Sequence, residues 1–77
     1  MISGLVLVKL KPGKENEVLK RIKAVKDVAH VSAVFGRWDL VLDMESEDLQ
    51  TMSNCVVHQI RAIPGVDSTE SLVTTAI

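Results

Sequence analysis

The side chains here able to do acid, base or nucleophile chemistry are few: His30, His58, Cys55 and the carboxylates Asp39, Asp43 and Glu70. Catalysis needs such a group held against a second one. No His/Cys pair stands at useful spacing, there is no Tyr, and no Gly-rich loop is available for a phosphate. His30, on a strand, is the one plausible acid/base. Cys55 falls beside an apolar helical stripe, where a thiol behaves as a small inert hydrophobe. His58 falls on a wet helix face. A binding site for a small zwitterion asks for less: backbone N–H groups or hydroxyls for a carboxylate, an acceptor for an ammonium group, and an apolar wall. The stretch Val34-Phe35-Gly36-Arg37-Trp38-Asp39 supplies all three, with the chain's only Phe and only Trp. Ser68, Thr69 and Ser71 could add hydroxyls from a neighbouring subunit. Equally, the stretch reads as a plain hairpin with an aromatic plug, and the hydroxyls as the polar dressing of an edge strand.

These residues must be placed by a domain of 77 residues, room for one unit only. A chain this short is marginally stable alone. One cysteine allows no disulfide, and His30, Cys55 and His58 lack zinc spacing. Self-association is the remaining support, and 47% hydrophobic residues with mean hydropathy +0.23 agree with it. Net charge −1 without a basic stripe argues against a nucleic-acid surface. No signal peptide or membrane-length apolar run is visible, so a cytoplasmic protein without membrane contact is expected.

The first strand is expected from Ile2 to Leu10, apolar on both faces through Val6/Val8 and Leu5/Leu7, as in a central strand. Lys11-Pro12-Gly13 ends it. A helix over about Lys14–Lys26 follows, with Val18, Ile22 and Val25 as its stripe and charges that suit the helix dipole. A second strand, Val28–Phe35, has Ala29, Val31 and Ala33 in one row and Val28, His30 and Ser32 in the other. Gly36-Arg37 suits a two-residue type II′ turn, with Phe35 and Trp38 as a cross-strand pair and Gly36 at positive φ. The third strand, Trp38–Met44, alternates cleanly. Ser46 is placed to cap a second helix running to Ile63, with core stripe Leu49, Met52, Val56, Ile60 and Ile63. Pro64-Gly65 stops it, and a polar last strand spans Val66–Ala76, an edge strand or one facing a polar cleft.

The order β-α-β-β-α-β predicts an α+β, ferredoxin-like fold: a four-stranded antiparallel sheet, first and third strands central, helices on one face. The other face, apolar on at least the first two strands, predicts a homodimer that pairs sheet to sheet.

The chain resembles the ligand-binding and oligomerisation (RAM) domain of the leucine-responsive/asparagine-regulator (Lrp/AsnC) transcription factors. The resemblance covers nearly the whole chain. Its marks are Lys11-Pro12-Gly13 after an apolar strand, Val28-Ala29-His30-Val31, Gly36-Arg37-Trp38-Asp39-Leu40, and Ile63-Pro64-Gly65-Val66 before Asp67-Ser68-Thr69. It implies dimers that assemble further into octamers or related rings. It also implies an amino-acid effector in the crevice between dimers, lined by Gly36, Arg37, Trp38 and Asp39 with Ser68, Thr69 and Ser71. No metal or other cofactor is implied. Members that regulate transcription carry a helix-turn-helix domain ahead of this one. Here the chain starts at the first strand, so a single stand-alone RAM-like domain over residues 1–77 is expected. It would act through a partner such as a full-length Lrp/AsnC regulator. Phe35 replaces the small hydroxyl residue common before the turn glycine in relatives. The fold also serves small dimeric α+β barrel enzymes of monooxygenase or isomerase type, with His30 as the acid/base, and purely structural assembly modules.

Overall fold

The computed structural model describes residues 1–73, so the expected end of the last strand, 74–76, lies outside the described residues. Four strands alternate with two helical segments: β1 (Ile2–Leu10), α1 (Glu15–Lys23), β2 (Val28–Ala33), β3 (Leu40–Ser46), α2 (Leu49–Cys55) and β4 (Val66–Val73). The sheet is antiparallel in the order β2-β3-β1-β4, with β1 and β3 central. This is the expected ferredoxin-like arrangement.

Alternation along β1 and β3 divides the sheet into two faces. Val6, Val8 and Leu10 of β1 and Leu40, Leu42 and Met44 of β3 are buried under Val18 and Ile22 of α1 and Met52 and Cys55 of α2. Leu5, Leu7 and Lys9 of β1 point to the other face, which no helix covers. Leu72 of β4 and Val41 of β3, cross-strand partners of Leu5 and Leu7, extend an apolar patch there. β2 does not contribute as expected. A bulge between Val28 and His30 lets Val28 pair with Met44 while Val31 pairs with Leu42. Both valines therefore pack on the helix-covered core, and β2 offers His30 and Ser32 to the bare face.

Three element ends differ from expectation for local reasons. The first helix closes at Lys23. The Ala24 N–H donates to Arg21 O at 3.2 Å and the Val25 N–H to Ile22 O at 3.0 Å, a tightened last turn that still lays Val25 on the core. Ser46 is not a cap. It is the fourth helix-facing residue of β3 and buried, and its hydroxyl donates to Asp27 Oδ2 at 2.7 Å. The cap is Asp48, whose Oδ1 accepts the Thr51 N–H at 2.7 Å. The second helix opens after Cys55 into a π-helical segment, Val56–Ile60, with the Arg61 N–H reaching back five residues to Val56 O at 2.8 Å. Its expected stripe holds at Met52, Val56, Ile60 and Ile63, but Leu49 stands 59% exposed.

Pro64-Gly65 stops this helix as expected. Gly65 has φ +105°, and a Cβ there would lie 2.7 Å from Lys14 Cβ. The turn thus backs onto the start of α1, and Gly65 O accepts the Lys11 N–H at 2.8 Å. No helix is long and apolar enough to cross a membrane among the described residues.

Candidate ligand-binding corner

The site is best built outward from Asp39. Its N–H donates to Val8 O at 2.9 Å, and its Oδ2 accepts the Leu10 N–H at 2.8 Å. Asp39 is thereby tied to the end of β1, while its carbonyl still meets the chain leaving β2. The tight hairpin does not form. The last β2–β3 pair is Ala33–Leu40, closed by Val34 N–H to Asp39 O at 3.0 Å, and 34–39 is an open loop instead of a two-residue type II′ turn. Gly36 does take positive φ, +126°, and a Cβ there would meet nothing, so conformation alone calls for glycine. Phe35 and Trp38 are no cross-strand pair: Phe35 is fully exposed at the loop tip and Trp38 is half-buried.

With Asp39 anchored, the loop leans over the β1–β4 end of the bare face. Lys9 Nζ donates to Arg37 O at 3.3 Å. Lys9 pairs with Ser68 across the β1–β4 ladder, and Glu70 lies two residues further along β4 on the same face. Lys9, Arg37, Trp38, Ser68 and Glu70 line an open concavity of about 440 Å³. It presents an ammonium, a guanidinium, a carboxylate, a hydroxyl and an indole wall. Lys9 and Glu70 do not pair with each other; Lys14–Glu17 at 4.0 Å is the only ion pair among the described residues.

Of the residues expected from sequence, the structure gathers Arg37, Trp38 and Ser68 at this concavity, with Gly36 at the tip of its loop and Asp39 as its anchor. It does not bring Thr69 and Ser71 there. They pair with Val8 and Val6, so they look toward the helices and line a separate groove of about 250 Å³ between the second helix and β4. A bulge near Leu10 leaves this parity intact over 68–73. Lys9 was missed by sequence reasoning, and Glu70 was singled out only as a candidate acid or base. The available signal was the parity of Lys9 with Leu7 along β1; Glu70 joins them on the bare face only through the β1–β4 register.

The remaining chemistry-bearing residues do not converge. His30 is exposed opposite Asp43 on the bare face. Cys55 is buried, and burial, then the nearby Asp27 charge, raise its thiol above the ordinary range. Among the described residues no group of three His, Cys, Asp or Glu could hold a metal.

A βαββαβ sheet with both helices on one face and a recessed corner at its β1–β4 end defines a ferredoxin-like α+β domain. The family model for the Lrp/AsnC ligand binding domain matches residues 3–76, and the chain belongs to that family. Among curated relatives, the HTH-type transcriptional regulator FL11 of Pyrococcus horikoshii is 28% identical over 70 residues, 91% of this chain and 46% of the relative. The chain spans about half the length of the curated relatives it matches. The crystal structure of TTHA0845 from Thermus thermophilus superposes with TM-score 0.94 at 27% identity, covering 100% of this chain and 96% of the other. The transcriptional regulator NMB0573 from Neisseria meningitidis, solved as a complex with L-Met, shares the fold with TM-score 0.89 at 17% identity, covering 97% of this chain and 50% of the other.

Proposed function

We propose that this domain binds a free amino acid at the corner of Lys9, Arg37, Trp38, Ser68 and Glu70, and that it self-associates through its bare sheet face. The observation that carries the reading is the juxtaposition of Lys9 and Glu70, which form no ion pair with each other, in an open concavity lined by Trp38. A zwitterion matches it group for group. The α-carboxylate meets the Lys9 ammonium and the Ser68 hydroxyl, the α-ammonium meets Glu70, and the side chain lies on the indole. Asp39 acts as the positioning residue that holds the loop against β1, rather than as the ammonium acceptor. The family assignment supports a ligand-binding role, and NMB0573 is a protein of the same fold solved with an amino acid. The apolar patch of Leu5, Leu7, Val41 and Leu72 supports a homodimer as the basic unit, from which octamers or related rings are built. In this reading the domain reports the ligand to a protein partner, such as a full-length Lrp/AsnC regulator, by mixed assembly rather than by touching DNA itself.

Thermal unfolding against the twenty amino acids tests the ligand. At about 100 times its dissociation constant a ligand adds roughly 2.7 kcal/mol per site. The expected result is a raised Tm with one or a few amino acids, lost in both Lys9→Met and Glu70→Gln while their unliganded Tm stays near that of the wild type. A flat panel, or a shift that survives both substitutions, would overturn the site.

A further inference from the structure

A zwitterion held by Lys9, Ser68, Glu70 and Trp38 leaves one charge of the corner unanswered. Arg37 lines the same concavity. Its guanidinium makes no ion pair and no hydrogen bond among the described residues; only its backbone carbonyl is engaged, by the Lys9 ammonium. The nearby acids do not answer it. Asp39 does not line the concavity, and its Oδ2 already accepts the Leu10 N–H. Glu70 is the one acid in the lining, so two cations, Lys9 and Arg37, stand against a single anion. An amino acid with a neutral side chain brings no net charge and leaves that excess in place. A basic one adds to it. A second carboxylate on the ligand cancels it.

The layout of the corner agrees with the charge count. Lys9, Ser68 and Glu70 stand on β1 and β4, whereas Arg37 and Trp38 are neighbours on the 34–39 loop. A ligand whose α-groups meet the strands and whose side chain lies on the indole therefore carries that side chain toward the loop, where Arg37 is. A guanidinium receives a carboxylate through two parallel N–H···O bonds, with charge behind both of them. We infer that the corner selects an amino acid with a side-chain carboxylate, and that Arg37 sets this specificity; the inference rests on the amino-acid corner proposed above. The methylenes of such a ligand lie on Trp38 and its terminal carboxylate meets Arg37. A dicarboxylate without an ammonium group is disfavoured, because it brings a second anion to Glu70 with nothing to pair it.

The test measures affinity by titration calorimetry for the twenty amino acids and 2-oxoglutarate on wild type, Arg37→Gln and Arg37→Lys, with circular dichroism confirming each fold. Glutamate and glutamine differ in side-chain charge and in little else, as do aspartate and asparagine, so the ratio of acid to amide isolates the contact with Arg37. The expected result is an acid that binds wild type about fivefold more tightly than its amide at low salt, the upper end for an exposed charge pair. The ratio should fall to about one in Arg37→Gln and be kept in part by Arg37→Lys. It should also shrink at about 1 M salt, where charges are screened within about 3 Å. 2-Oxoglutarate should bind more weakly than glutamate. An amide or apolar amino acid that binds wild type as tightly as the acids would overturn the selection and leave the corner standing. So would a preference that survives Arg37→Gln, or a loss of acid and amide alike in that variant. 2-Oxoglutarate binding as tightly as glutamate would make the corner a plain anion site. No binding by any amino acid would overturn the corner itself, and the selection with it.

Discussion

Leu42 and Leu5 are the same residue on adjacent central strands of one sheet, yet they live in different solvents. Leu42 on the helix-covered face is 0% exposed; Leu5 on the bare face is 41% exposed. The covered face is a finished core, closed within one chain by Val18, Ile22, Met52 and Ile60. The bare face carries Leu5, Leu7, Val41 and Leu72 at its centre and His30, Asp43, Lys9 and Glu70 around them. One face thus supplies stability, and the other is the one proposed to pair. The difference arises from strand alternation alone, since every second residue of β1 is handed to the other face.

The same truncation made on both faces should separate them most strongly. Leu42→Ala should cost about 2–5 kcal/mol, from lost burial plus the cavity left behind. Leu5→Ala should cost far less in the dilute chain, and its effect should grow with protein concentration if the bare face pairs. Denaturant melts at two concentrations read both. Equal losses for the two variants at low concentration would show that the bare face is already covered.

Asp39→Ala comes next, at about 1–3 kcal/mol, because it strands the Leu10 N–H that the carboxylate now receives. Hydrogen exchange should report faster exchange at Leu10 than at Val6. The same variant should weaken amino-acid binding through a disordered loop. A ligand affinity unchanged in Asp39→Ala would separate the clamp from the corner.

Leu7→Glu acts on the bare face itself. A charge at the centre of the bare patch should leave the midpoint of dilute unfolding within about 0.5 kcal/mol of wild type. Sedimentation should nevertheless show lost sheet pairing. If mass is unchanged, the patch is not the dimer surface.

The smallest effect belongs to Asp48, which serves neither face. Its hydrogen bond from the Thr51 backbone N–H holds its carboxyl below the ordinary value of 3.8. A depressed folded-state pKa gives stability that is present above the unfolded value and lost as pH falls through the folded one. Asp48→Ala should therefore melt slightly lower than wild type at pH 7, and the gap should close in acid below the ordinary carboxylate range. Coincident curves at pH 7 would show the cap to be dispensable, and a gap that persists unchanged into strong acid would show that it does not depend on the carboxylate charge.

Much of this architecture was legible because it is encoded locally. Alternation in β1 and β3, the Lys11-Pro12-Gly13 break and the Pro64-Gly65 stop act over a few residues; they marked out the element order, and the ferredoxin-like layout that this order implies supplied strand order and helix side. What failed was also specific. Ser46 and Asp48 are both good caps by type, and only the demand of the sheet for a fourth inward residue at Ser46 chose between them. The parity of Val28 was misplaced because a bulge costs the sequence no visible mark. The π-helical segment Val56–Ile60 carries no Gly or Pro to announce it.

The candidate site divides in the same way. From the sequence it followed that a turn with Gly36 at positive φ would join β2 to β3 beside Trp38 and Asp39, that β4 would be polar, and that one sheet face would remain apolar and bare. The tertiary structure alone decided which residues meet. It gave the Asp39 carboxylate to Leu10, 29 residues away in the chain. It set the β1–β4 register that turns Ser68 and Glu70 toward the loop and Thr69 and Ser71 toward the helices. The reason is that side-chain spacing follows from the local backbone, whereas register and long-range hydrogen bonds depend on how separate strands come to rest against one another.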